Sequence, residues 1–363
     1  MLIDIIAGAR PNFVKIAPII AEIEKRKSKG IKMAYRLIHT GQHYDQKMSG
    51  SFFEQLRIPY PDINLEVGSG TQGQQTARIM ERYEEVLLKK PCDLCIVVGD
   101  VNSTMACAIT AKKLNIKVAH VEGGIRSWDV TMPEEINRMV TDSITDYFFT
   151  TSETANENLK NSGFKETQIF YVGNTMIDTL LKNIDRFEAP TIWSKLNLQE
   201  KKYIVMTLHR PANVDEEVKL KELIDEIVYN VEEIPVIFPV HPRTAKILEQ
   251  IGIKAHNLFM IEPLGYLQFN YLVKNAKAVI TDSGGITEEA TVMKVPCMTL
   301  RNNTERPETI TVGTNELVGT DPKKLEPYLN ILFNGEWKKG KIPNLWDGKT
   351  AERIVSKIIE LLK

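Results

Sequence analysis

Short continuous apolar runs alternate along the chain with longer segments whose apolar positions recur every three or four residues. The runs LIDIIAG (2–8), MAYRLIHTG (33–41), DLCIVVGD (93–100), KVAHVEGG (117–124) and YFFTT (147–151) are rich in β-branched and aromatic residues and show little polar alternation. Strands of that kind are buried on both faces, as in a parallel sheet with helices on each side. The amphipathic segments between them predict helices. The first opens at Pro11, whose fixed φ suits the first turn of a helix. The β-α-β-α rhythm therefore predicts a doubly wound α/β domain.

The rhythm restarts after IFYVGNTMID (169–178). PTIWSKLNLQEKK (190–202) reads as a linker or surface excursion. New runs follow at YIVMTLH (203–209), PVIFPVH (235–241), NLFMIEP (257–263), AKAVITD (276–282) and VPCMTLR (295–301), with a closing helix over about 349–363. Two successive α/β halves of similar size predict two facing domains with a cleft between them. In open parallel sheets, ligands gather beyond the carboxyl ends of the strands. The polar residues most unusual for their surroundings stand there.

A length of 363 residues agrees with two domains, and 43% hydrophobic with 26% charged residues is a globular composition. The net charge of −1 gives no bulk attraction to nucleic acid or an anionic membrane, so a bound anion must be held by local groups. No stretch approaches the ~18 uninterrupted apolar residues of a membrane span. The N-terminus has no basic flank of a secretory signal. Cys92, Cys95, Cys107 and Cys297 are too sparse for a disulfide scaffold. The Cys92-x-x-Cys95 spacing enters a strand with no second Cys/His pair nearby, so a reduced, cytoplasmic protein is expected.

GARPNFVK (8–15) is not a G-x-G-x-x-G, which removes the best support for a nicotinamide or flavin. It offers Arg10 and Lys15, two cations able to meet a pyrophosphate; the alternative is a solvated helix start. Asp100 ends a buried strand and could equally be a helix N-cap. Glu122, followed by two glycines, is a poorer cap, and Glu134 and Glu135 open the next helix. Carboxylates crowded at one sheet edge suit a shared site in which one of them is raised toward the general-acid range. In the second half, His209 with Arg210, and His241, stand at strand ends. No H-x-x-H or H-E-x-x-H spacing occurs, so no zinc site is expected. Ser283, Gly284 and Gly285 let a phosphate approach a helix N-terminus closely. Glu288 and Glu289 either stabilise that helix dipole or supply a carboxylate to a ribose. Arg306 follows the next strand. Phosphate and sugar held without a Walker loop point to a nucleotide-linked ligand.

The motifs GARPNFVKIAP, TGQHYDQKM, GDVNST, HVEGGIRS, PEEINR, VGNTMID, TLHR, DSGGITEEA and TERPE occur in that order over nearly the whole length. By them the chain resembles the non-hydrolysing UDP-N-acetylglucosamine 2-epimerases. The resemblance implies a glycosyltransferase-B fold of two facing Rossmann-like domains, residues 1–172 with 349–363 and residues 173–348, with the active site in the cleft. It implies that Arg10, Lys15, His209, Ser283, Gly284, Gly285 and Arg306 hold the UDP portion. Glu289 would hold the ribose and Phe269 would lie by the uracil. Asp100, Glu122 and Glu134 would face the sugar, forming with His209 the catalytic set. Leu264 departs from the polar residue that bacterial relatives often carry near the base, so backbone groups are expected to read the uracil there. Gln42, His43 and Gln46 would border a second UDP-N-acetylglucosamine that activates the enzyme. The resemblance further implies a homodimer without cofactor or obligatory metal.

The chemistry suits these residue types. The proton on C2 is not next to a carbonyl, so simple carbanion formation is prohibitively costly. Departure of UDP from C1, before or with that proton, gives neutral 2-acetamidoglucal, and return of both groups gives UDP-N-acetylmannosamine. A hydrolysing relative would instead release N-acetylmannosamine and UDP. A glycosyltransferase would need an acceptor cleft and one base.

Overall fold

Thirteen strands form two sheets among the residues that the computed structural model describes, namely 1–41, 53–214, 216–240, 242–253 and 255–363. The first contains β1 (Leu2–Ala7), β2 (Ala34–His39), β3 (Ile63–Asn64), β4 (Leu94–Val98), β5 (Lys117–Val121), β6 (Tyr147–Thr150) and β7 (Ile169–Tyr171), ordered β3-β2-β1-β4-β5-β6-β7. The second contains β8 (Ile204–Thr207), β9 (Val236–Pro239), β10 (Leu258–Ile261), β11 (Ala278–Thr281), β12 (Cys297–Thr299) and β13 (Asn315–Leu317), ordered β10-β9-β8-β11-β12-β13. Every paired neighbour is parallel. Each order grows outward from its first strand and then reverses, between β1 and β4 in one sheet and between β8 and β11 in the other. A doubly wound sheet opens its ligand crevice at that reversal. Neither β3 nor β13 shows in the apolar pattern, because edge strands of two and three residues are too short to display a period.

The chain divides into two compact units, Met1–Lys182 with Asn344–Lys363, and Asn183–Pro343. In the second, alternate residues of one strand enter different cores. Ile204 and Met206 join Val236, Phe238, Ala278, Ile280 and Met298 on one face, while Tyr203, Val205, Ile237, Val279 and Cys297 pack on the other. Two-sided burial is why these strands read as unbroken apolar runs. In the first unit every residue of β4 is buried. The helix Gln72–Lys89 sends Ile79, Tyr83 and Leu87 into a core with Ile6, Ile38, Val97 and Val118. That helix starts on a reciprocal cap, in which Gln74 N donates to Thr71 Oγ1 at 3.3 Å and Thr71 N to Gln74 Oε1 at 3.2 Å.

The stretch 190–202 is not a linker. Its short helix Thr191–Lys195 places Trp193 edge-on to Tyr203 and Tyr271, with ring centroids 5.7 and 5.1 Å away, and Leu198 is buried in the same core. Its three lysines, Gln199 and Glu200 gave a polar average that hid Trp193 and Leu198. The closing helix Thr350–Leu361 packs in the first unit, where Asp178 caps it from a distant part of the chain, accepting from Thr350 N at 3.1 Å and Ala351 N at 2.7 Å. All four cysteines are buried, unbridged thiols. Burial and then the Asp4 carboxylate push Cys92 up to about 12, so it stays protonated and unreactive. Among the described residues, no helix is long and apolar enough to cross a membrane.

Candidate active site

In the first unit, β4 and β5 pair in register through Val98 and Val121, so the turns carrying Asp100 and Glu122 leave the sheet side by side. Gly99, at φ +69°, makes the first of these turns, and a Cβ there would come within 3.1 Å of Lys15 Nζ. The backbone thus favours glycine, and a Cβ there would crowd the neighbouring ammonium. Lys15, one turn into the helix Arg10–Ser28, places Nζ 2.7 Å from Glu122 Oε2, and both side chains are buried. Asn12 fixes the start of that helix, accepting from Gly8 and Ala9 N–H and donating to the Val98 carbonyl at 3.0 Å. Arg10 is the helix's first residue and is exposed.

The two glutamates that open the helix Pro133–Ile144 have different fates. Glu134 is exposed, whereas Glu135 is fully buried. Glu135 accepts from Ser127 N and Oγ and from Trp128 N, each at 3.0 Å, and pairs with Arg138 at 2.7 Å. Arg138 also donates to Asp100 Oδ2 at 2.5 Å. A buried guanidinium thus connects the carboxylate of Glu135 to that of Asp100. Neither Arg138 nor Glu135 is marked out by its type in PEEINR; the four-residue spacing of Glu134 and Arg138 is an ordinary helical surface pairing.

In the second unit, β8 and β11 pair in register through Thr207 and Thr281, which brings TLHR and DSGG together. Asp282 is fully buried and organises this junction. Its carboxylate accepts from the N–H groups of His209 and Arg210 and from Asn213 Nδ2, and Oδ1 lies 2.7 Å from His209 Nδ1. Burial would raise the Asp282 carboxyl, but the His209 ring and these N–H donors outweigh it and hold it below the usual carboxylate range. The His209 side chain is 60% exposed, so Nε2 is the nitrogen not taken by Asp282. Asp282 went unassigned in the sequence because an Asp after a strand is an ordinary turn residue.

Ser283 precedes the helix Gly284–Val292 and makes no side-chain cap, so the first-turn amides have no side-chain acceptor from that position. A Cβ on Gly284 would meet Glu305 Oε1 at 2.8 Å. Glu305 pairs with buried Arg301 at 2.6 Å, and Arg210 Nη2 lies 3.9 Å from it. Glu288 and Arg306 form a buried pair at 3.0 Å. Glu289 is buried and accepts from Tyr266 OH at 2.7 Å; burial, partly offset by that hydrogen bond, raises its carboxyl to about 7. Phe269 and Leu264 pack against the core beside these elements. Gln42, His43, Gln46 and His241 lie outside the described residues. Among those described, no cluster of three or more His, Cys, Asp or Glu is arranged for a metal ion.

Each unit thus places its polar strand-end residues at its own topological switch point, with carboxylates backed by cations in one and a His–Asp pair beside a helix N-terminus in the other. The family model described as UDP-N-acetylglucosamine 2-epimerase matches residues 24–359. The chain is 48% identical over 332 residues to a UDP-N-acetylglucosamine 2-epimerase homolog of Methanococcus maripaludis, covering 90% of each. It is 43% identical over 367 residues to the UDP-N-acetylglucosamine 2-epimerase of Methanocaldococcus jannaschii, covering 98% of each. It is 41% identical over 325 residues to a UDP-2,3-diacetamido-2,3-dideoxy-D-glucuronate 2-epimerase of Pseudomonas aeruginosa, covering 88% of each. The crystal structure of the Methanocaldococcus jannaschii enzyme in complex with UDP-GlcNAc and UDP superposes with a TM-score of 0.88, over 99% of this chain and 100% of that one. With matches of this extent, the chain belongs to the UDP-N-acetylglucosamine 2-epimerase family.

Proposed function

We propose that the protein interconverts UDP-N-acetylglucosamine and UDP-N-acetylmannosamine by eliminating UDP to 2-acetamidoglucal and adding it back with C2 inverted. The observation that carries this reading is the pairing of Asp100 and Glu122 at adjacent strand ends, with Arg138 and Lys15 at 2.5 and 2.7 Å from their carboxylates. Carboxylates paired with buried cations can remove the C2 proton and stabilise positive charge developing at C1. Exposed Glu134 is the third group able to exchange a proton. In the second unit, Ser283, Gly284, Gly285, Arg306 and His209 receive the UDP portion, Glu289 the ribose and Phe269 the uracil side; Arg10 and Lys15 add charge for the pyrophosphate. The helix N-terminus at Gly284 supports the phosphate assignment.

The Pseudomonas aeruginosa relative supports a second substrate, a UDP-2,3-diacetamido-glucuronate, for the same chemistry. Incubation of each nucleotide sugar in deuterated water, followed by proton NMR, tests the reading. The expected result is a UDP-linked product of the acetamidoglucose substrate with inverted C2 bearing deuterium. Free N-acetylmannosamine with UDP would mark a hydrolysing enzyme, turnover of the diacetamido sugar alone would reassign the substrate, and an unchanged spectrum would overturn the reading.

This proposal extends to control and setting. A second UDP-N-acetylglucosamine, bordered by Gln42, His43 and Gln46, activates by binding one conformation better than the other. The exposed apolar side chains of Trp128, Val130, Ile136 and Met139 favour a homodimer. A cytoplasmic role in surface polysaccharide or glycan synthesis follows from substrates too charged to cross a bilayer unaided.

A further inference from the structure

His120 on β5 and Asp142 on the helix Pro133–Ile144 are both fully buried. His120 Nδ1 lies 2.7 Å from Asp142 Oδ1, and Nε2 lies 2.8 Å from the Gly99 carbonyl oxygen. A carbonyl and an ionised carboxylate can only accept, so both ring nitrogens face acceptors. The other Asp142 oxygen accepts from Gly124 N at 3.0 Å and from Arg126 Nη1 at 2.6 Å. Burial would raise the Asp142 carboxyl, but His120 and Arg126 outweigh it and hold it below its usual range, which keeps it the ionised acceptor.

The two ends of this network are the two turns that bear the proposed catalytic carboxylates. Gly99, at φ +69°, immediately precedes Asp100; Glu122 itself has φ +73° and immediately precedes Gly123-Gly124. Both turns bend through the left-handed region, one of them with a non-glycine residue, and such conformations persist only when their surroundings over-determine them. We infer that His120 is a positioning residue, a two-sided clasp. Its Nε2 fixes the peptide before Asp100, while its Nδ1, through Asp142, fixes the turn after Glu122. This inference rests on the proposed function, in which Asp100 and Glu122 act on the sugar. One imidazole holding both turns keeps the two carboxylates in a fixed relation, and a shift of about 1 Å in such a relation can cost about 10²-fold in rate.

The side chains of glutamine and asparagine separate the two halves of the clasp, since a glutamine amide can replace the Nε2 bond and an asparagine amide the Nδ1 bond. In the C2-inversion assay, His120→Ala should lower kcat about 10–100-fold with KM within about threefold, while His120→Gln and His120→Asn, each keeping one half, should both fall between His120→Ala and wild type. A wild-type kcat in His120→Ala, or a raised KM at unchanged kcat, would overturn the inference. Independently of activity, wild-type protein with ¹⁵N-labelled histidine should show a slowly exchanging imidazole N–H, absent from His120→Gln. A His120 ring whose N–H protons all exchange freely with water would overturn the clasp whatever the protein does with substrate. A wild-type protein that inverts no sugar would defeat the proposed function and leave the NMR result to decide the clasp.

Discussion

Nδ1 of His209 lies 2.7 Å from Oδ1 of Asp282, although 73 positions separate the two residues. The buried carboxylate favours the tautomer with its proton on Nδ1, which leaves Nε2 as the nitrogen not taken by Asp282. Asp282→Asn keeps the shape of this junction but can turn an amide N–H toward the ring and favour the other tautomer. The expected outcome is a fall in kcat on the order of 10²-fold or more, with UDP affinity changed only a few-fold. Steady-state rates beside calorimetric UDP titration check it, and a wild-type kcat would remove the orienting role of Asp282.

Lys15 and Glu122 are buried together at 2.7 Å. Removing one partner strands the other, at a cost of about 3–5 kcal/mol, whereas removing both deletes the charge altogether. Lys15→Met should therefore destabilise the protein more than the Lys15→Met/Glu122→Gln double variant does. Denaturant unfolding of the full cycle measures this, and strictly additive effects would show that the pair is not coupled.

Asp100→Asn, Glu122→Gln and Glu134→Gln should each slow turnover by about 10²–10⁴-fold, the range for loss of a general acid or base. UDP affinity should hold within a few-fold, because its proposed phosphate and ribose contacts lie mostly on the second unit. Normal turnover in all three would remove the carboxylates from the mechanism.

Glu289 titrates at about 7 in the folded protein against an ordinary value of 4.5. Between those values the folded state keeps a proton that the unfolded chain has released, so this group's contribution to stability is present below pH 4.5 and is lost as pH rises through 7. Glu289→Gln lacks that loss. Its stability relative to wild type should rise across the window and level off at about 3 kcal/mol or less. Urea unfolding at several pH values tests this, and a difference independent of pH would contradict the raised carboxyl.

Activation by substrate predicts a lag. Purified UDP-N-acetylmannosamine should turn over slowly at first, and a trace of UDP-N-acetylglucosamine should abolish the delay. Gln42→Ala with Gln46→Ala should weaken that effect. Progress curves starting at full speed without the epimer would rule the activation out.

The strands of both sheets, apart from the short edges β3 and β13, follow from local chemistry. An apolar run covered on both faces needs no knowledge of its partners, and Pro11 and Gly284 mark helix starts through constraints internal to the chain. The same locality let Asp100, Glu122, His209 and Ser283 stand out, because a strand that empties into a charged or small polar residue can be read in place. The packing of Trp193 and Leu198 could not be read in this way, since single anchors vanish in a polar average.

What the sequence by itself determined is therefore the alternation of elements, the restart that marks two α/β halves, and the strand ends where chemistry gathers. Only the tertiary structure decided which of those ends meet. Helix-on-sheet packing places a residue beside one far away in the chain, as with Lys15 and Glu122, 107 positions apart. Tertiary packing also decided that Glu135 is buried while Glu134 is exposed. Successive residues on a helix point about 100° apart, and only the docking of that helix determines which direction is inward.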